Sequence, residues 1–367
     1  MSSNSEYTPP KFTNFKDVKE FFTGKEVYGL TNFTNTCFMN SIIQCLGQTL
    51  EFTKYILSLN FKPDLKSKSE ISNELEAIQR DLVIKWYILQ RGMWNTKEAL
   101  GPKSFHQTIQ VLSIKSGRYE FVGNHQKDAP EFLEFLLENM HMALSDKVVF
   151  EITGEPEHIY DEMALEAAKS WEAFFHKEYS KVIELFYGQY HSEIICPECG
   201  YTSTTYQPFM TLQVPLPRDK PVSSLSECLS LFNNLETLDL ENQWKCEDCD
   251  DYRKATKKMS IWMAPEILTI HLKRFNRKRH KIENMVTYPL ENLSLNDYSI
   301  GYGKSDELYS LYAVVNHSGD TSGGHYYAYV KTFDNKWYCA NDLLSTEIDV
   351  SKVVNRNAYM LFYRRNK

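Results

Sequence analysis

No stretch of this 367-residue chain approaches the roughly 18 consecutive apolar residues that a membrane span requires. Its first residues, MSSNSEYTPPKF, lack the basic-then-apolar order of a secretory leader, so neither secretion nor membrane insertion is expected. A basic excess is missing as well: 41 Lys and Arg stand against 48 Asp and Glu, giving a formal net charge of -7 and a pI near 5.9. That balance argues against a general nucleic-acid binder and for a protein partner with a weakly basic face. Internal repeats and low-complexity tracts are also lacking. What remains, 42% hydrophobic and 24% charged residues, suits a well-packed protein of one elaborate domain or two ordinary ones.

Cysteines are few, eight in all, and four of them fall in two CxxC pairs. Without a secretory signal, reduced metal-binding or reactive thiols are expected in preference to disulfides. The expected compartment is therefore intracellular and reducing, cytoplasmic or nuclear.

Residues 1 to about 25 are polar and contain Pro9 and Pro10, which predicts a loosely held extension with no chemistry in it. In NTCFMNSIIQCLGQT, Phe38, Ile42, Cys45 and Leu46 recur at helical spacing, with Asn35 or Thr36 as caps, so Cys37 falls at the start of a helix. Residues 71–91 and 131–144 read as further amphipathic helices. After about residue 186, strand-like runs dominate: ILTIHLKRF, LYAVVNH, YYAYVKTF and AYMLFYRR. The predicted class is α+β, with helices early and an antiparallel sheet late.

A helix N-terminus lowers the pKa of a thiol and presents backbone N–H groups to an oxyanion, which makes Cys37 a candidate nucleophile. Asn32 is placed to add a side-chain donor. Cys45, among apolar neighbours, reads as core. Near the other end, NHSGDTSGGHYYAYV offers His325 at the mouth of a strand as the general base. WYCAND then supplies Asn341 and Asp342, either of which can orient an imidazole. Gly323 and Gly324 read as turn formers, and His317 as structural. In NHQKDAPEFLEFLLENMH, Asp128, Pro130 and Glu131 precede an apolar helix and predict a capping box.

The CxxC pairs are Cys196 with Cys199 and Cys246 with Cys249. Four thiolates close a tetrahedral zinc site with no open position, although the interval between the pairs exceeds that of a compact zinc ribbon and a redox CxxC is the rival. Cys228 and Cys339 have no assigned role. The basic run KRFNRKRHK at 273–281 invites a nuclear-localisation or nucleic-acid reading, but its position after a strand favours a solvated hairpin tip.

The segment GLTNFTNTCFMNSIIQCL closely resembles the cysteine box of the ubiquitin-specific proteases, the papain-like deubiquitinases. The resemblance continues in order through QKD, ELFYGQY, the first CxxC, PFMTLQVPLP, the second CxxC, APEILTIHLKRF, the histidine box and AYMLFYR, from about Tyr28 to Tyr363. It implies a catalytic domain over residues 28–365 after an extension of 1–27, with a thumb at about 28–145, fingers at about 186–260 and a palm in the remainder. It further implies hydrolysis of isopeptide bonds at the C-terminal glycine of ubiquitin. In that scheme Asn341 is the third member of the triad and Asp342 assists. Gln126 and Asp128 contact ubiquitin's tail, and Gly323 with Gly324 opens a narrow channel for it. One structural zinc would be held by Cys196, Cys199, Cys246 and Cys249. Expected partners are ubiquitin, ubiquitinated proteins and regulatory proteins, with neither membrane nor nucleic acid.

Three positions depart from the family pattern: Thr34 stands where glycine is usual, Lys127 where Gln or His is common, and Ala340 where an aromatic is usual. A positive φ at Thr34 would strain the loop before Cys37 and lower activity until ubiquitin binds. The alternatives are an inactive ubiquitin-binding scaffold, a protease for a ubiquitin-like modifier, and a zinc-dependent nucleic-acid binder, which the net charge disfavours.

Overall fold

The computed structural model describes residues 8–366 except 177, 219, 239–241, 277–279 and 321–322. The chain divides into two compact units, the first made of residues up to 146, 180–185 and 312–353, the second of 147–179, 186–311 and 354 onward. Helices and sheets are both present, in agreement with the α+β expectation.

In the first unit, five helices follow the cysteine-box loop and its approach: Cys37–Gly47, Leu50–Leu57, Glu74–Asn95, Lys103–Lys115 and Ala129–Leu144. The helix Cys37–Gly47 is buried along its whole length, which its apolar residues require. It packs on the strand Gly324–Lys331. That strand pairs antiparallel with residues 313–319 on one side and with Trp337–Asn341 on the other, and Trp337–Asn341 pairs in turn with Leu344–Ile348.

Residues 15–22, expected within a loose extension, form a helix instead, capped by Asn14 Oδ1 accepting from Asp17 N at 3.1 Å. The reason is aromatic burial: Phe22 packs with Leu57 and Trp94, its ring meeting the indole edge-on at 4.7 Å.

In the second unit, the strands Gly188–Ile195, Thr202–Phe209 and Thr256–Met263 form an antiparallel sheet. A hairpin of Trp244–Cys246 and Asp251–Arg253 carries the second CxxC. The late strands are not wholly antiparallel: Ile267–Leu272 pairs parallel with Thr211–Val214 and antiparallel with Ala358–Arg365.

Of the basic run, Arg277, Lys278 and Arg279 lie outside the described residues, while Phe275 and Lys281 form an antiparallel bridge. Arg274 belongs to no solvated face. It is fully buried and donates to the carbonyls of Ala358, Ile282 and Asn284 at 2.6–2.9 Å, and burial pushes its pKa down to about 10. Among the described residues no helix is long and apolar enough to cross a membrane.

Candidate active site

Cys37 opens its helix, as its position in the sequence predicts. Thr36 is the N-cap residue but makes no side-chain cap bond, because its hydroxyl works backwards into the preceding loop. Thr36 Oγ1 accepts from Phe33 N at 3.0 Å and donates to Asn32 Oδ1 at 3.1 Å. The loop turns through two left-handed residues, Thr34 at φ 75 and Asn35 at φ 54, so the position where threonine replaces glycine does require positive φ.

Asn32 is fixed at both ends of its carboxamide. Oδ1 accepts from Thr36 N at 3.0 Å, and Nδ2 donates to Asp342 Oδ2 at 2.9 Å, leaving one N–H of Nδ2 for another acceptor. Leu30 N donates to the carbonyl of Asp342 at 2.7 Å, which seats the start of the cysteine box on the turn after Asn341. Gly29 permits that approach, since a Cβ there would collide with the carbonyl oxygen of Leu343.

The thiol of Cys37 is 2% exposed. Burial raises its pKa above the ordinary value and the nearby Asp342 carboxylate raises it further, against the lowering by the backbone N–H groups of Tyr326, Phe38 and Cys37. The helix terminus alone therefore does not make a resting thiolate, contrary to the simple expectation from sequence. A partner that removes the proton is required.

The candidate for that partner is His325. His325 immediately precedes Tyr326, whose N–H reaches the sulfur, and His325 Nε2 lies 2.6 Å from Asn341 Oδ1. Of the two candidate orienters, Asn341 faces the ring, whereas Asp342 faces Asn32 and, at 2.9 Å through Oδ1, Asn40 Nδ2. Successive residues leaving a strand point in different directions, and Asp342 has already turned into left-handed backbone at φ 49.

Gln126 and Asp128 both bond to the strand that carries His325. Gly324 N donates to Gln126 Oε1 at 2.8 Å while Gln126 Nε2 donates to the Gly324 carbonyl, so the side chain pairs with the residue before His325 as a strand neighbour would. Asp128 is the N-cap residue of Ala129–Leu144 without a side-chain cap bond, so the predicted capping box is not formed. Its Oδ1 accepts instead from Tyr326 OH at 2.9 Å. The two glycines also differ. A Cβ on Gly324 would collide with His317, a buried residue whose ring packs on Tyr326, whereas a Cβ on Gly323 would meet open space.

In the second unit, the sulfurs of Cys196, Cys199, Cys246 and Cys249 all lie within 4.8 Å of one another and can hold a metal ion. The closest cross-pairs are Cys199–Cys246 at 3.6 Å and Cys196–Cys249 at 3.9 Å, too long for a disulfide and close to the ~3.8 Å edge of a tetrahedron with Zn–S near 2.3 Å. Backbone N–H groups of Cys199 and Glu198 point at the Cys196 sulfur and lower its pKa to about 7, whereas Cys199 and the other neighbouring sulfurs push that of Cys249 up to about 12, so the four thiols do not all ionise without a cation between them. Cys45 is fully buried, as expected of a core residue, and so is Cys228.

Asn40 and Tyr326 are the participants that sequence reasoning did not single out, and Thr36 was read there only as a cap. Asn40 and Thr36 lie inside the cysteine box, within one turn of Cys37, which was the available signal.

A model of the family described as ubiquitin carboxyl-terminal hydrolase matches residues 28–363. Human ubiquitin carboxyl-terminal hydrolase 2 is 35% identical over 345 residues, covering 91% of this chain and 54% of the human protein. The Drosophila melanogaster hydrolase Usp2 is 36% identical, over 92% of this chain and 34% of its own. Saccharomyces cerevisiae ubiquitin carboxyl-terminal hydrolase 4 is 31% identical, over 92% of this chain and 39% of its own. The chain thus spans about half the length, or less, of these relatives. Among solved structures, a SAGA Ubp8/Sgf11/Sus1/Sgf73 DUB module bound to ubiquitin aldehyde matches at 25% identity and a TM-score of 0.67, over 93% of this chain and 70% of the other. A yeast SAGA DUB module with a mutant Sgf73 matches at 24% and 0.70 over 93% and 69%, a likeness of fold.

Proposed function

Because the chain belongs to the ubiquitin carboxyl-terminal hydrolase family, we propose that it is a deubiquitinase: a cysteine hydrolase that cleaves isopeptide bonds at the C-terminal glycine of ubiquitin on proteins or chains. The observation that carries this reading is that His325, bonded through Nε2 to Asn341 at 2.6 Å, is the residue before Tyr326, whose peptide N–H reaches the Cys37 sulfur.

In this reading His325 takes the proton of Cys37, and the thiolate attacks the carbonyl carbon of the last glycine. The remaining N–H of Asn32, with backbone N–H groups at the helix start, receives the oxyanion. His325 then protonates the leaving lysine amine, and water, activated by the same imidazole, hydrolyses the thioester. Asn341 holds the ring, and Asp342 holds Asn32. Gln126 and Asp128 support the histidine strand through Gly324 and Tyr326, and Gly323 lines the path of the tail.

Cys196, Cys199, Cys246 and Cys249 would hold one zinc ion, which in a closed four-thiolate site supplies rigidity and no chemistry. We assign residues 28–145 to a thumb, 186–260 to fingers and the remainder of 28–365 to a palm, and place the protein in the reducing cytoplasm or nucleus with ubiquitin, its conjugates and regulatory proteins as partners. The family assignment and the completeness of the site do not favour an inactive scaffold.

The test is reaction of the purified chain with ubiquitin bearing a C-terminal electrophile, read as a mass shift. A covalent adduct with wild type and none with Cys37→Ala is expected. Absence of both adduct and ubiquitin binding would sink the assignment.

A further inference from the structure

We propose that Asn40 is a positioning residue for the reaction: acting through Asp342, it fixes the carboxamide of Asn32 that receives the oxyanion. The proposal rests on the deubiquitinase reading above and extends it to a residue with no contact to substrate.

Asn40 lies on the helix Cys37–Gly47, one turn after the nucleophile, and is 3% exposed. Its Nδ2 donates to Asp342 Oδ1 at 2.9 Å, with longer contacts of 3.4 Å to the carbonyls of Leu30 and Thr31. The other carboxylate oxygen, Oδ2, accepts from Asn32 Nδ2 at 2.9 Å. The carboxylate is thus a bridge between two amides, one on a rigid helix and one in the strained loop. The terminal torsion of an aspartate is soft, so a carboxylate tied at one oxygen swings about its Cβ–Cγ bond. Tying Oδ1 to the helix removes that freedom and holds Oδ2, and with it Asn32 Nδ2, in one place. Asn32 Oδ1 is already held by Thr36 N at 3.0 Å, so the carboxamide has a single orientation.

The Asn40 amide is satisfied at one end only. Asn40 Oδ1 is buried and meets no donor among the described residues, and a buried acceptor left this way destabilises a fold. A leucine of similar shape would fill the space without that defect. The Nδ2 end makes the bonds, and the shortest of them, to Asp342, leads to the reaction centre.

The experiment uses the full chain, wild type, Asn40→Leu, Asn32→Ala and the double variant, with three readouts: hydrolysis of a fluorogenic ubiquitin C-terminal amide, alkylation of Cys37 by iodoacetamide, and thermal unfolding. Alkylation needs the thiolate but no oxyanion donor. The expected result is a fall in kcat of about tenfold or more for Asn40→Leu, with KM and the alkylation rate within about twofold of wild type. The double variant should be no slower than Asn32→Ala alone, since both changes remove the same interaction. Unchanged kcat, a parallel loss of alkylation, or multiplying effects in the double variant would each overturn the proposal. If Asn40→Leu does not fold, Asn40→Asp serves. A protonated carboxyl there can still donate to Asp342 and an ionised one repels it, so kcat should fall as pH rises; a loss that is flat with pH would overturn the idea. A wild type that is alkylated but cleaves no ubiquitin amide would defeat the deubiquitinase reading alone. In that case a crystal structure of Asn40→Leu decides, an unmoved Asn32 amide overturning the positioning role.

Discussion

His325 Nε2 stands 2.6 Å from Asn341 Oδ1, and an amide oxygen only accepts, so the imidazole proton is held at Nε2 and the lone pair is left at Nδ1. That leaves Nδ1 as the basic nitrogen, the atom through which the proposed proton transfer from Cys37 would run. Asn341→Ala should lower kcat by about 10²-fold with KM little changed, and Asn341→Asp, which keeps an acceptor, should restore most of it. With His325→Ala, burial and the Asp342 charge act on Cys37 unopposed by a base. Alkylation of the thiol should then rise only above the ordinary thiol range as pH increases. Alkylation of His325→Ala at neutral pH as fast as wild type would show that the base is dispensable.

Thr34 holds φ 75 in the loop before the nucleophile, where a β-branched residue is strained by about 1–2 kcal/mol. Thr34→Gly relieves that strain and gives back about 0.5–1 kcal/mol through the greater freedom of glycine in the unfolded chain. A net gain of up to about 1.5 kcal/mol in urea unfolding is expected, with faster ubiquitin-amide hydrolysis because the loop that carries Asn32 no longer opposes its own geometry. A lower unfolding midpoint would mean that threonine is accommodated without strain.

The parts of this site that could be read from the sequence are those whose chemistry is local. Cys37 at a helix start, His325 on a strand and two CxxC pairs each follow from a few adjacent residues. The choice between Asn341 and Asp342 did not, because adjacent residues on a strand point oppositely and the direction is set by pairing with distant segments. Gln126 with Gly324, and Asp128 with Tyr326, are likewise long-range pairs, and local rules favoured a capping box that the tertiary contact displaced. The helix Phe15–Phe22 differs, because its Asn14 cap and the helical spacing of Phe15, Val18, Phe21 and Phe22 were legible locally, and only its packing on Leu57 and Trp94 is long-range.

The four-cysteine cluster predicts one zinc per chain by native mass spectrometry. Cys246 is fully buried, so Cys246→Ser should abolish the metal and leave a buried hydroxyl without its partner. A loss of at least about 3 kcal/mol, or several degrees in Tm, is expected for this variant, and a comparable loss for wild type in a strong chelator. Full stability in chelator, with four free thiols by titration, would exclude a structural metal.

His106 supplies a pH dependence whose sign can be worked out. It is 5% exposed, both ring nitrogens are without hydrogen-bond partners among the described residues, and burial lowers its pKa from 6.5 to about 4. Its ring packs edge-on against Phe33 of the cysteine-box loop at 5.6 Å. The folded pKa is depressed, so between pH 6.5 and 4 the unfolded chain binds a proton that the folded chain refuses. Stability is therefore complete above the unfolded value and falls as pH drops through this window, by on the order of 3 kcal/mol at its lower end. His106→Phe removes the titration and should flatten the part of the acid limb that His106 produces. Urea unfolding of both proteins at pH 7 and pH 4.5 checks it, the difference between the two pH values being smaller in the variant. An equal difference would mean that the ring finds a partner when charged and that the acid sensitivity arises elsewhere.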